Sequence, residues 1–238
     1  MPRAATLLHT SDCHLSSDAS GPEQKAFADM IDLAIRTAVD AVLVTGDLFD
    51  HNRVVDGVLD WTGDQLDRLE CPVVLLPGNH DELDGTSVHL RFDANRRCRR
   101  VTFLDDHHGA VVEVAGTDMV VWGRAMIEHE PGFRPLAGVP ERRDDRWCVV
   151  AGHGLVMDTE TPNGRSSPIF PSDLAAVDWD YVALGHCHAH REVRGGQRPA
   201  YYAGATYASR GQVPGAVLVD FVPGVGAQPR WTGLGPTG

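Results

Sequence analysis

Asp12 and His14, Asp47, Asn79, His153, and His186 and His188 stand in five short, separated segments, each at the end of an apolar run. Asp, His and Asn supply the oxygen and nitrogen donors that small divalent cations take. Seven such groups at strand ends would hold two ions side by side, with one carboxylate shared. Two adjacent ions suit the hydrolysis of a phosphoester, because each can take one phosphoryl oxygen.

Four of the segments share a grammar of apolar run, small residue, then donor: Thr45-Gly46-Asp47, Pro77-Gly78-Asn79-His80, Ala151-Gly152-His153 and Leu184-Gly185-His186. Glycine lets the chain turn sharply, so the next side chain can point back over a sheet edge. Asp12 and His14 are two apart, as are His186 and His188, and in extended backbone such pairs face the same way. Each motif has a plainer reading alone. Asp47 or Asn79 would be a turn residue, His153 an interior histidine, and His186 to His190 a polar loop or a structural zinc site. Core packing does not explain five strand ends that all carry donors.

The elements needed to position these groups are legible. Residues 4–10, 41–44 and 73–76 are continuous apolar runs, expected as strands buried on both faces. Residues 25–37 fit a helix with Phe27, Met30, Ile31, Ala34 and Ile35 on one face, and residues 54–69 fit another. The β-helix-β-helix-β order predicts parallel strands, whose carboxyl ends gather ligands. A third helix is expected near residues 87–97. Residues 101–104, 110–114, 119–122, 147–151 and 181–184 read as further strands. Residues 191–193, 200–203 and 216–221 look like antiparallel strands. Residues 128–145 and 155–171 read as loops. The tail from Pro223 is rich in Gly and Pro and is expected to be partly loose. The reading is one domain over residues 1–238, with no internal repeat.

The 238 residues are 42% hydrophobic and carry 33 acidic against 21 basic side chains, for a net charge of −12. That balance argues against holding nucleic acid through a broad basic surface, although bound cations would reverse the field locally. The five cysteines are scattered with no CxxC pair, which suits a reducing cytoplasm. No secretory segment is visible, and no run approaches the roughly 18 apolar residues of a membrane span.

Taken in order, these motifs resemble the calcineurin-like metallophosphoesterase superfamily. His9-Thr10-Ser11-Asp12-Cys13-His14-Leu15 and Gly46-Asp47-Leu48-Phe49-Asp50 look most like its branch of DNA-repair exonucleases, the Mre11/SbcD-like proteins. The resemblance runs from about Ala5 to His188. It implies an α/β fold of two central mixed sheets flanked by helices, in four α/β/β/α layers. It implies that Asp12, His14 and His188 bind one ion, that Asn79, His153 and His186 bind the other, and that Asp47 bridges them. It further implies manganese foremost, with iron or zinc as alternatives, and a metal-activated hydroxide that attacks phosphorus in line. His80 would be the non-ligand histidine facing the leaving group, with Asp81 orienting its ring.

One departure stands out. Relatives of the nuclease branch commonly carry a second histidine three residues after the bridging aspartate, whereas here that position is Asp50 and the histidine is His51. Asp50 is therefore a candidate to orient a metal-bound water or a ligand histidine. His51, Arg53, Arg124 and His190 are candidates for substrate contact. Cys13 and Cys187 alternate with ligands and should pack away from the ions. The expected activity is a phosphodiesterase with possible DNA exonuclease action. The alternatives are a small-molecule phosphodiesterase or nucleotide phosphatase, and a non-catalytic metal-binding scaffold. Nucleases of this branch usually carry a capping domain and a region for an ATPase partner. Only 50 residues follow His188, so a compact member without the cap is expected and no ATPase partner is inferred.

Overall fold

The computed structural model describes residues 1–16, 21–142, 145–161, 164–208 and 211–234. Strand β1 (Ala5–Thr10) leads to helix α1 (Pro22–Arg36), which opens on a proline whose φ is preset for a first helical turn. Strand β2 (Ala41–Thr45), helix α2 (Asp56–Leu66) and strand β3 (Val73–Leu76) complete the expected alternation. Phe27, Met30, Ile31 and Ala34 are buried on α1 as expected, but Ile35 is 46% exposed. The third helix is broken. A 3-10 turn at Val88–Leu90 is separated from a single helical turn, α3 (Ala94–Arg97), where Asp93 accepts the Arg96 N–H. Strand β4 (Val101–Phe103) follows.

The second half contains β5 (Ala110–Val114), β6 (Met119–Gly123), β7 (Trp147–His153), the two-residue strands β8 (Leu155–Val156) and β9 (Pro168–Ile169), and helix α4 (Pro171–Ala176). Next come β10 (Tyr181–Gly185), β11 (Arg191–Val193), β12 (Ala200–Tyr202), β13 (Gly215–Val222) and β14 (Gly226–Gly233). Helix α4 begins where the expected 155–171 loop ends, over residues to which the sequence reading assigns no element. Pro171 begins it, and Asp173 reaches back to accept the Phe170 N–H at 2.8 Å. The tail is also firmer than expected, since β14 pairs along its length with β13.

Two six-stranded mixed sheets result, ordered β14-β13-β1-β2-β3-β4 and β11-β12-β10-β7-β6-β5. Strands β1 to β4 run parallel, as do β6, β7, β10 and β12. Strand β13 joins the first sheet antiparallel to β1, in keeping with its sequence reading, whereas β12, read as antiparallel, pairs parallel with β10 and antiparallel with β11 in the second. Alternation along single strands separates three cores. Leu8, Val42, Val44 and Leu75 face the helices with Phe27 and Val58, whereas Leu7, Leu43, Val74 and Leu76 face the second sheet. Val121, Val149 and Ala183 meet that inner core, and Val120, Val150 and Val182 face α4 with Leu174 and Trp179. Both faces of both sheets are covered, which is why the strands read as unbroken apolar runs. Among the described residues no helix is long and apolar enough to cross a membrane.

Candidate dinuclear metal centre

The carboxyl ends of β1, β2, β3, β7 and β10 meet at one edge of the paired sheets, and all seven expected donors arrive there. The loop after β1 zips onto the loop after β2. The N–H groups of Asp12, His14 and Leu15 donate to the carbonyls of Gly46, Asp47 and Leu48 at 3.1, 3.0 and 2.9 Å. Asp12, His14, Asp47 and His186 all have positive φ, at 51°, 48°, 52° and 95°. Non-glycine residues seldom adopt this region, and the strain is held only where surrounding structure fixes it. Asp12 and His14 thus converge through left-handed turns, not through the extended i, i+2 geometry expected of them.

The glycines act mainly by giving room. Gly46 has φ +91°, and a Cβ there would sit 2.1 Å from His153 Nδ1. A Cβ on Gly78 would sit 2.2 Å from Asp47 Oδ1, and one on Gly185 would sit 1.9 Å from the Thr45 carbonyl. Of these three, only Gly46 needs the turn itself.

Nε2 of His14 and Nε2 of His188 face one another at 3.0 Å, with Asp12 Oδ1 at 4.0 and 3.7 Å from them. On the other side, Asn79 Oδ1 lies 3.0 Å from His153 Nε2 and 2.8 Å from His186 Nδ1. Asp47 stands between the groups. Its Oδ2 is 3.7 Å from His14 Nε2 and 3.3 Å from His153 Nε2, while its Oδ1 accepts the His80 N–H at 2.9 Å. Donor atoms of Asp12, His14 and His188, and of Asp12, Asp47 and His153, are close enough together to share an ion.

Neighbours fix the rings. His153 Nδ1–H donates to the Thr45 carbonyl at 2.8 Å, which turns Nε2 toward Asp47 and Asn79. His14 Nδ1–H meets Asp50 Oδ1 at 3.1 Å, which turns its Nε2 toward His188 and Asp47. Burial disfavours charge on both aspartates. Burial, with Asp47 adding to it, raises the Asp12 carboxyl above the usual carboxylate range. For Asp47, the histidines His153, His14 and His80 outweigh burial and hold it below that range. Burial likewise opposes charge on His153, but Asp47 overcomes it and pushes the imidazole up to about 9. Burial, helped by His153, takes His186 down to about 3. Among the described residues, the ion-pair partners of Asp12 and Asp47 are histidines. Two buried carboxylates with no Lys or Arg against them among the described residues, faced by imidazole nitrogens, form a donor set that fits two divalent ions.

These ends sit in the architecture of a known family. Residues 5–190 match the calcineurin-like phosphoesterase family, Metallophos. The chain is a calcineurin-like phosphoesterase. This metal-dependent hydrolase is 30% identical over 228 residues to an uncharacterized metallophosphoesterase, YhaO, of Bacillus subtilis, covering 85% of this chain and 53% of that protein. It is 27% identical over 216 residues to the DNA double-strand break repair protein Mre11 of Methanosarcina mazei, covering 87% of this chain and 34% of that one. The chain therefore spans about half the length of the first relative and a third of the second. Its fold superposes on that of TT1561 of Thermus thermophilus with a TM-score of 0.63 at 14% identity, covering 98% and 100% of the two chains. Similarity to the Mre11 and SbcD proteins is partial and does not assign this phosphoesterase to their branch.

A cleft of about 500 Å³ opens over the centre, lined by His14, Asp50, His80, His186 and His188 and walled by Leu155, Cys187, Tyr207 and Gln212. His80 is not in either donor group. Its Nδ1–H donates to the Asp50 carbonyl at 2.8 Å, and its side chain is 42% exposed. Asp81 does not orient it. The Asp81 carboxylate is buried and accepts the N–H groups of Gly78 at 2.7 Å and Phe49 at 3.2 Å, with His89 Nε2 at 3.3 Å. Orientation of His80 belongs to Asp50, the position where this chain departs from the branch.

The four residues expected to touch substrate lie outside the cleft lining. His51 Nδ1 accepts the Arg53 N–H at 3.1 Å in a surface turn. Arg124 is bound to the carbonyls of His107 and Arg134. His190 accepts no place in the cleft either, since its Nδ1 meets the Tyr202 carbonyl and its ring stacks on Tyr201. Cys13 is buried in the helix-side core as expected, but Cys187 borders the cleft. Sequence reasoning missed three neighbours. His129 lies with its ring 5.8 Å from His186, its N–H held by Glu82 at 2.8 Å. Tyr207 and Gln212 come from the segment between β12 and β13. None of the three has strand-end context, so no local signal marks them.

Proposed function

We propose that the chain is a dinuclear phosphodiesterase, with exonucleolytic cleavage of DNA ends as its specific form. Asp12, His14 and His188 would hold one ion, Asn79, His153 and His186 the other, and Asp47 both, with manganese foremost. When bound, the ions supply Lewis acidity toward phosphoryl oxygens and toward water. The observation that carries the reading is His80, an imidazole outside the donor set that stands at the mouth of the cleft. With Nδ1 committed to Asp50, Nε2 is the nitrogen left to deliver a proton to the leaving oxygen.

A diester suits this cleft better than a monoester. Among the described residues no Lys or Arg lines it, and Asp50, 41% exposed, adds a carboxylate. A terminal phosphate dianion calls for cationic clamps, whereas a diester carries one charge. DNA is supported by the motif resemblance and by the relatives named for DNA repair. A second reading, a small nucleotide diester as substrate, is favoured by the net charge of −12 and by a lining without basic side chains among the described residues.

The test is manganese-dependent release of nucleotides from end-labelled single- and double-stranded DNA, with Asp47→Asn as the matched control. Turnover by the parent alone supports the nuclease. No turnover by protein shown to hold two ions defeats DNA and moves the reading to small diesters.

A further inference from the structure

The histidines and Asp50 make only part of the cleft lining. Tyr207 and Gln212 line it as well, and neither is among the seven expected metal donors. The Tyr207 ring stands at 82° to that of His14 with centroids 6.1 Å apart, and at 65° to that of His188 at 6.4 Å. It is thus within one ring's reach of the first donor group. Gln212 lines the same cleft, and its Oε1 is buried without a hydrogen-bond partner among the described residues. A buried amide acceptor without a donor is costly and needs an explanation. Leu155 supplies apolar surface beside them.

We infer that this wall is a subsite for the nucleobase attached to the scissile phosphate. The inference rests on the phosphodiesterase reading and names its substrate class as nucleotidyl esters. Every base has a π-face that an aromatic ring can cover. An exocyclic amine is the donor that an orphaned amide oxygen lacks. A run of neighbouring phosphates would need cationic side chains, and the described lining residues include none. Esters of glycerol or simple sugars offer neither a π-face for Tyr207 nor an exocyclic amine for Gln212.

The experiment compares equilibrium binding of adenosine 5′-monophosphate and ribose 5-phosphate to the manganese-loaded protein by calorimetry. The two probes share their phosphate, so contact with the ions cancels in the ratio. The nucleotide should bind about tenfold tighter, as base stacking is worth about 1–3 kcal/mol. Tyr207→Ala should bring the ratio near one, Tyr207→Phe should keep it, and Gln212→Leu should lower it severalfold. A ratio near one in the parent, or one untouched by Tyr207→Ala, overturns the subsite. Hydrolysis of bis(p-nitrophenyl) phosphate is followed in parallel. Turnover with a ratio near one removes the base subsite and leaves the phosphodiesterase. A preserved ratio without turnover removes the phosphodiesterase and leaves the subsite.

Discussion

The rings of His14 and His80 stand at 85° to one another with centroids 4.5 Å apart, and Asp50 holds both. One residue thereby couples a metal-donor imidazole to the imidazole that faces the leaving group. Loss of the outer partner of a ligand histidine costs about 10- to 100-fold in metal affinity. Asp50→Ala should show that loss in a calorimetric manganese titration. Unchanged affinity would mean that Asp50 has no hold on His14.

His80 should matter to proton transfer and little to metal. His80→Gln is expected to lower kcat by about 10²- to 10⁴-fold on an alkyl phosphodiester. The deficit should shrink when p-nitrophenolate leaves, because that oxygen needs no proton. Equal losses on both substrates would assign His80 a role other than acid.

Asp47 is the carboxylate within reach of both groups, at 3.7 Å from His14 and 3.3 Å from His153. Asp47→Asn should abolish manganese-dependent turnover by about a thousandfold or more. It should also reduce the bound manganese measured after gel filtration. Two retained ions in the variant would place the bridge elsewhere.

Asp81 braces the site from behind by accepting N–H groups from two donor-bearing loops, those after β2 and β3. Asp81→Ala would leave both N–H groups without their buried acceptor and remove the carboxylate beside His89. The expected cost is about 3 kcal/mol of stability, read from the urea midpoint. A change under about 0.5 kcal/mol would show that the loops stand without this clamp.

His9 gives a pH dependence with a clear sign. Its ring lies between Tyr181 Oη at 2.9 Å and Thr45 Oγ1 at 3.0 Å, and burial lowers its pKa from 6.5 to about 3. The folded chain keeps His9 neutral, while the unfolded chain protonates it below 6.5. Its contribution is thus fully present above pH 6.5 and is lost as pH falls toward 3, amounting to a few kcal/mol as an order of magnitude. Urea midpoints should fall less between pH 7 and pH 5 in His9→Gln than in the parent. Parallel slopes would exclude His9 as the source.

By itself the sequence determined the parallel alternation of β1, α1, β2, α2 and β3, because strands buried on both faces must be apolar throughout. It also marked out the seven candidate donors that the fold brings to one edge, since strand ends are local features and glycine before a donor is a local mark. Helix α4 and the break between residues 90 and 94 were less legible, since short turns carry little periodicity. Only the tertiary structure decided that β13 crosses to the first sheet and that β14 completes its edge. It alone placed Asp50, not Asp81, beside His80, and brought Tyr207 and Gln212 over the centre. The physical reason is direction. Sequence spacing says which residues are near a strand end, but left-handed turns at Asp12, His14, Asp47 and His186 set where each side chain points.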